Sequence, residues 1–246
     1  MILEIDYGNT RIKWRLLNAC TLACSARGVA TNVLELVEQL NNFKQEPIQY
    51  CRICSVHKAC DNDVLTDTLL RVFKIKPVYA VSSKKLAGVV NGYKDAAKLG
   101  VDRWLALVAG YGQLKTSCLV FDFGTAITVD YVNAQGVHFG GCIAPGMQIL
   151  QKSLNSSAQQ LAGFNVGFAE QSVIWGKDTQ SAIKSGITTM VEGFTREHLR
   201  LAAAEWGCDF KIIYTGGDGQ SVTSLTANGL FDQDLVFKGL AIACPF

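Results

Sequence analysis

Hydrophobic and polar positions alternate along this chain with two different periods. Ile2-Leu-Glu-Ile5 is a short, mostly apolar run, Gly8-Asn9 is a turn signal, and Ile12, Trp14 and Leu16 then alternate with polar neighbours. That pattern predicts a β-hairpin at the start. A similar unit begins at Cys118, where Leu119-Val-Phe-Asp122-Phe-Gly124-Thr125-Ala126-Ile-Thr-Val129 again places a turn between two apolar runs. Helical spacing fills the ground between. Val33, Leu36, Val37 and Leu40 share one face, as do Leu65, Leu69 and Val72. Trp104, Leu107, Tyr111 and Leu114 make a stripe between Asp102 and Lys115. The longest stripe runs from Thr179 to Glu205 through Ile183, Ile187, Met190, Val191, Phe194, His198 and Leu201. Phe210 to Tyr214 reads as a buried strand that ends at Thr215-Gly216-Gly217. Strands alternating with helices predict an α/β fold with covered sheets.

The two hairpin units share more than a pattern. Aligning Asp6 with Asp122 also aligns Gly8 with Gly124, at an offset of 116 residues, close to half the chain. Each unit reads apolar strand, Asp, aromatic, Gly, second strand. Two structural copies of one domain are therefore expected. No low-complexity linker separates them, so the boundary falls near Lys115 to Ser117, with domains at 1–116 and 117–246.

Composition changes this picture in three ways. Of 246 residues, 49% are hydrophobic and 18% charged, below the ~25% usual for soluble domains. A disordered chain is excluded, and some apolar surface is expected to be covered by a partner such as a second copy. The net charge of +2 is well mixed and no basic run exceeds Lys84-Lys85, which argues against nucleic acid as a partner. No apolar run reaches the ~18 residues of a membrane span, and Glu4 and Asp6 stand where a signal peptide would be basic and then apolar. Neither a membrane nor a secretory route is expected. The nine cysteines are irregularly spaced, as suits reduced thiols in the cytoplasm. Cys51 and Cys54 form a CxxC near His57 and Cys60, open to a zinc or redox reading. With no second CxxC to complete four ligands, a β-strand carrying small buried thiols is the favoured reading.

The candidate chemistry gathers at the strand ends. Each Asp-aromatic-Gly unit puts a carboxylate beside a turn whose backbone amides suit phosphate oxygens. Thr10 and Thr125 add hydroxyls, and Lys13 lies on the strand after the first turn. An Asp beside a triphosphate can hold Mg²⁺. Gly140-Gly141-Cys-Ile-Ala-Pro145-Gly146 and Thr215-Gly216-Gly217-Asp218-Gly219 supply two further glycine clusters, neither of them a Walker A loop nor a GxGxxG fingerprint. Leu99-Gly100-Val101-Asp102-Arg103-Trp104 sits just before a predicted helix. Asp102 reads either as the helix N-cap or as a general base, with Arg103 as an anion clamp suited to a carboxylate.

Taken in order, Asp6-x-Gly8-Asn9-Thr10-x-x-Lys13, Gly100-x-Asp102-Arg103, Asp122-x-Gly124-Thr125-Ala126-x-Thr128, Gly140-Gly141-x-Ile143-x-Pro145-Gly146 and Thr179-x-x-Ala182-Ile183-x-x-Gly186 resemble the type III pantothenate kinases. The resemblance runs from Asp6 to about Gly217. It implies the acetate/sugar kinase, Hsc70 and actin type of fold: two ribonuclease-H-like domains, mixed sheets flanked by helices, a nucleotide cleft between them. It implies ATP-dependent phosphorylation of the primary hydroxyl of pantothenate, the first step of coenzyme A synthesis, in a cytoplasmic homodimer. Asp6, Tyr7, Gly8, Asn9, Thr10, Arg11, Ile12 and Lys13 would form the first phosphate loop, with Asp6 near Mg²⁺. Tyr93, Gly100, Val101, Asp102, Arg103 and Thr179 would contact pantothenate, and Asp102 would accept its proton. Asp122 would bind a monovalent cation, K⁺ or NH₄⁺, and Thr125 an ATP phosphate. One departure stands in Tyr93-Lys-Asp-Ala96-Ala-Lys-Leu99-Gly100, where the family commonly has Pro at the position of Ala96. Alanine there loosens the backbone restraint.

The remaining conspicuous side chains read as structural. Trp14, Trp104 and Phe194 fit core stripes, His57 and His138 lack metal partners, and His198 sits on a helix face. Phe168 and Trp175 precede Thr179 and are left between a pocket role and a dimer contact.

Overall fold

The hairpin expected at the start forms as β1 (Ile2–Tyr7) and β2 (Ile12–Leu17), antiparallel, with β3 (Cys24–Ala30) added on the outside. The chain then crosses through α1 (Val33–Asn41) to β4 (Tyr50–Ser55), which pairs parallel to β1, and through α2 (Ala59–Phe73) to β5 (Val78–Tyr79). The first sheet therefore has the order β3-β2-β1-β4-β5. The computed structural model describes residues 1–43, 46–157, 175–222 and 229–246. Asn32 caps α1 by accepting the Glu35 N–H at 3.0 Å, which satisfies one of the orphan donors of the first turn. Leu3, Ile5, Trp14 and Leu16 on one face of the sheet meet Leu36 and Leu40 of α1 and Leu65 and Leu69 of α2 in one core. A short hairpin of β6 (Lys85–Leu86) and β7 (Val89–Val90), a 3₁₀ turn at Ala96–Lys98 and then α3 (Val101–Leu114) follow.

The second half repeats the plan. β8 (Cys118–Phe123), β9 (Ala126–Val132) and β10 (His138–Pro145) form an antiparallel meander. α4 (Met147–Ser157) and α5 (Thr179–Trp206) come next, then β11 (Lys211–Thr215) parallel to β8. α6 (Gly219–Val222) leads toward β12 (Gly229–Phe231), parallel to β11. The order β10-β9-β8-β11-β12 is the order of the first sheet, strand for strand. The offset of 116 residues between Asp6 and Asp122 carries β1 onto β8.

α5 occupies the predicted stretch, but its buried face is rotated from the apolar stripe. Ile187, Val191 and His198 are buried together with Thr188, Thr195 and Ala202, whereas Met190 and Leu201 are exposed. Thr195 tolerates burial because its hydroxyl donates to the Val191 carbonyl at 2.9 Å. His198 sits against Phe194, with Nδ1 2.6 Å from the Tyr131 hydroxyl, and burial pushes its imidazole below the ordinary histidine range.

The last helix, α7 (Leu235–Ala243), departs from the expected partition at 116/117. Met1–Gln113 and Asp234–Phe246 group as one unit and Leu114–Gln233 as the other, so α7 belongs with the first sheet. The cause is a row of charges across that sheet. Glu4 on β1 lies in register with Arg15 on β2 and Arg52 on β4, and Arg15 in turn with Arg27 on β3. Arg15 and Arg52 both donate to the fully buried Glu4 carboxylate. The same arginines hold the two ends of α7. Arg15 and Arg27 bind Asp234 at its start, and Arg52 donates to the Cys244 carbonyl at its end, at 2.8 Å. A cation at a helix C-terminus also complements the helix dipole. No described helix is long and apolar enough to cross a membrane.

Candidate functional site

In the first unit the chemistry starts where β1 stops. The turn after β1 is closed by the Gly8 N–H donating to the Arg11 carbonyl at 3.1 Å, and Asn9, Thr10 and Arg11 form its exposed tip. Asp6 and Lys13 face each other across the hairpin register, with Nζ 3.9 Å from the carboxylate. The Asp6 side chain is 14% exposed and that of Lys13 42%. Burial raises the Asp6 carboxyl above the ordinary aspartate range; Lys13 opposes the rise, Asp102 adds to it, and a hydrogen bond from Cys54 opposes it. Asp6 and Asp102 thus stand near enough to repel one another in a poorly hydrated place, with Lys13 as the facing cation. Such a pair is suited to a divalent ion, because oxygen ligands with net negative charge are what Mg²⁺ takes. Ile12 is a core residue in register with Tyr7 on β1 and Ala30 on β3, so it supports the turn from within the sheet.

Cys54 explains half of the CxxC. On one strand, residues three apart face opposite sides of the sheet. Cys51 joins the apolar core, where burial drives its thiol far up, and Cys54 is in register with Asp6. The two sulfurs cannot share an ion, and the strand reading describes them.

Asp102 lies in the first turn of α3, and the N-cap alternative gives way to Gly100, whose carbonyl accepts the Trp104 N–H at 2.9 Å. The Asp102 carboxylate accepts the Arg103 N–H at 2.8 Å. An acidic side chain in a first turn is favoured by the helix dipole. Arg103 is buried, and its guanidinium donates to the Tyr93 hydroxyl at 2.9 Å. The structure thereby brings together Tyr93 and Arg103, ten residues apart. Val101 is buried on the same turn.

One contributor escaped the sequence reading. The buried Asn91 amide donates to the carbonyls of Ser83 and Ala96, at 3.2 and 3.3 Å, and its oxygen accepts the Tyr93 N–H at 3.0 Å. Asp95 then caps the 3₁₀ turn by accepting the Ala97 N–H at 3.1 Å. These bonds supply the restraint that proline would give at position 96. A polar residue between two apolar valines and a glycine was the available signal.

In the second unit Asp122 is the last residue but one of β8, opposite Thr128, and the turn Gly124-Thr125 closes through the Gly124 N–H to the Ala126 carbonyl at 3.1 Å. Both later glycine clusters converge on this turn. The Gly146 N–H donates to the Thr125 carbonyl, and the Asp218 N–H to the Phe123 carbonyl, each at 3.0 Å. A side chain at Gly146 would run into the main chain of Gly124 and Thr125. Gly216 has a φ of +91°, and a side chain there would meet the Asp122 carboxylate and the Phe123 main chain. Gly216→Ala is accordingly expected to displace Asp122 and lower turnover about tenfold or more, with any activation by K⁺ or NH₄⁺ lost. Steady-state rates with and without each cation check this. Thr179 is the exposed first residue of α5, behind the capping box of Asp178 and Ser181. Trp175 is 82% exposed. Phe168 lies outside the described residues.

A sequence profile described as type III pantothenate kinase matches residues 2–200. Proteins named type III pantothenate kinase from Pseudomonas syringae pv. syringae (strain B728a) and Pseudomonas aeruginosa (strain LESB58) are 40% identical over 248 and 41% over 247 residues, each covering 100% of this chain and 99% of the relative. Among solved structures, a putative 2-dehydro-3-deoxygalactonokinase from Sinorhizobium meliloti aligns with a TM-score of 0.61 at 12% identity, over 99% of this chain and 98% of that one. A conserved putative Baf family transcriptional activator from Campylobacter jejuni aligns with a TM-score of 0.58 at 19% identity, over 97% and 94%. These two show the fold, which is the sugar kinase and actin type with two sheet domains.

Proposed function

The chain belongs to the type III pantothenate kinase family, and from that premise we propose how its residues divide the transfer of phosphate from ATP to pantothenate, the first step of coenzyme A synthesis. The turn from Asp6 to Lys13 receives the ATP phosphates: main-chain amides of Asn9 to Arg11, at the exposed tip that the Gly8 N–H closes, and the Thr10 hydroxyl meet oxygens, and Lys13 neutralises charge. Asp6 holds Mg²⁺, which when bound spreads charge over the phosphates. Thr125 contacts a phosphate from the second unit, and Asp122 holds K⁺ or NH₄⁺. Arg103 takes the pantothenate carboxylate, and Tyr93, Gly100, Val101 and Thr179 line the substrate. Asp102 accepts the proton of the primary hydroxyl as its oxygen bonds to the γ-phosphorus and the bond from that phosphorus to the β,γ-bridging oxygen breaks, releasing ADP. Most of the acceleration then comes from positioning and electrostatics.

The observation that supports this division best is that Lys13 faces Asp6 across the hairpin, with Nζ 3.9 Å from its carboxylate, while the Asp102 charge adds to the rise of the Asp6 carboxyl. A metal-binding carboxylate and a proton-accepting carboxylate are expected to feel each other's charge when one acts on the phosphate and the other on the hydroxyl it joins. We extend the reading to a cytoplasmic homodimer, which the reduced thiols and the exposed Phe139 and Ile143 on the edge strand β10 favour. ADP release measured with pantothenate, Mg²⁺ and either K⁺, NH₄⁺ or neither tests the assignments. Turnover is expected to need pantothenate and to rise severalfold or more with the monovalent cation. Full turnover in its absence would remove the role given to Asp122.

A further inference from the structure

We propose that His57 is a positioning residue for ATP, one that fixes the first phosphate turn from behind. His57 lies between β4 and α2, far in sequence from the turn it touches. Its Nε2 stands 3.0 Å from the Gly8 carbonyl, and its ring stacks on that of Tyr7 with centroids 3.9 Å apart and planes 23° apart. A carbonyl can only accept, so Nε2 carries the proton of this bond. The preceding residue repeats the arrangement, because the Val56 N–H donates to the Tyr7 carbonyl at 3.3 Å. Two successive carbonyls of the turn are therefore held by two successive residues of one loop.

The histidine is itself held. Its own N–H donates to the Ser55 hydroxyl at 3.2 Å, and Nδ1 lies 3.5 Å from the Asp61 carboxylate in the first turn of α2. The Ser55 hydroxyl in turn donates to the Asn62 side chain at 2.6 Å. The ring is placed from both sides before any ligand arrives.

The consequence follows from peptide geometry. The Gly8–Asn9 bond is planar and trans, so the Gly8 carbonyl and the Asn9 N–H point in opposite directions. Holding the carbonyl toward His57 aims the Asn9 N–H away from it. A glycine has the widest choice of backbone angles, so this peptide plane is the one in the turn most in need of an external hold. With the histidine bond absent, the plane can rotate and the amide loses its aim. The proposal rests on the reading of this turn as the phosphate site, and concerns ATP rather than pantothenate.

The test is steady-state kinetics on the full chain, with ATP and pantothenate varied separately, beside thermal melting. His57→Phe keeps an aromatic ring on Tyr7 and removes the donor. It is expected to raise the KM for ATP about five- to tenfold, the effect of one lost hydrogen bond, with the KM for pantothenate within twofold and the melting temperature little changed. His57→Gln restores a donor and is expected to return the KM for ATP to within about threefold of the parent. Should the Phe variant fail to fold, His57→Met against His57→Gln gives the same comparison between similar shapes. Lys13→Ala is the reference for the turn itself and is expected to raise the KM for ATP. If it does and His57→Phe does not, the proposal is overturned while the phosphate turn stands. If Lys13→Ala leaves the KM for ATP unchanged, the phosphate turn falls and the proposal with it. Equal rises in both KM values with a lowered melting temperature show a merely structural histidine and also overturn it.

Discussion

Asp102→Asn is expected to lower kcat by about 10²–10⁴, the usual contribution of a positioned general base. Asparagine keeps the size of the side chain and its oxygen, which can still accept the Arg103 N–H in the first turn of α3. It removes only the basicity. Folding is therefore expected to persist, and the neighbouring charge should respond in an informative way. Asp102 helps to raise the Asp6 carboxyl, so its neutral replacement lets Asp6 ionise more readily. Binding of ATP with Mg²⁺ should be as tight as in the parent or tighter, while turnover collapses. A dissociation constant for ATP measured beside kcat separates the two effects. A variant with kcat within threefold of the parent would sink the proton-accepting role.

Asp6 gives the complementary sign. Its carboxyl sits above the ordinary aspartate range, so between the unfolded value near 3.8 and the raised folded value the native state binds the extra proton. That contribution to stability is present at low pH and lost as pH rises through the folded value. Above the folded value the ionised Asp6 is held at a cost, which fits a group kept for what it binds.

Which of these features were legible beforehand depends on how local their cause is. The duplication was visible because a strand, an Asp, an aromatic and a Gly are neighbours in the chain, and the two sheets indeed share one strand order. α1, α2 and α3 followed their apolar spacing to within a few residues. α5 kept its ends but not its face, because Thr188 and Thr195 take buried positions that an apolar count assigns to Met190 and Leu201. The family resemblance named Tyr93 and Arg103 separately as substrate contacts, and the hydrogen bond between them emerges only in the fold; Asn91, which holds the loop between them, had no periodicity to announce it. For His57 the sequence offers no metal partners; its partners are a carbonyl and a ring brought near by the parallel pairing of β1 and β4. The destination of α7 was hidden for the same reason. An apolar helix at the end of a chain says that it will be buried, not against what.

The charges under α7 decide that question, and their removal should have the largest effect on folding. Glu4 is fully buried on the central strand between two arginines of the adjacent strands. Neither arginine can reach water without moving, since Arg15 is tied to Asp234 and packs on Phe237, and Arg52 is tied to the end of α7. Glu4→Ala leaves two buried cations facing each other across a cavity. Breaking a buried pair in this way costs about 3–5 kcal/mol, a large share of the ~5–15 kcal/mol that holds a domain together. The melting temperature is expected to fall by about 10 °C. The loss should be local at first, because the arginines that repel one another are those that anchor α7. Hydrogen exchange in residues 235–243 should rise before that in β1 and β4. Adding Arg52→Met to Glu4→Ala removes one of the stranded cations and should recover part of the loss. A melting temperature within about 2 °C of the parent for Glu4→Ala would show that the row of charges does not hold the helix, and would leave the apolar face of Leu235, Val236 and Leu240 as its anchor.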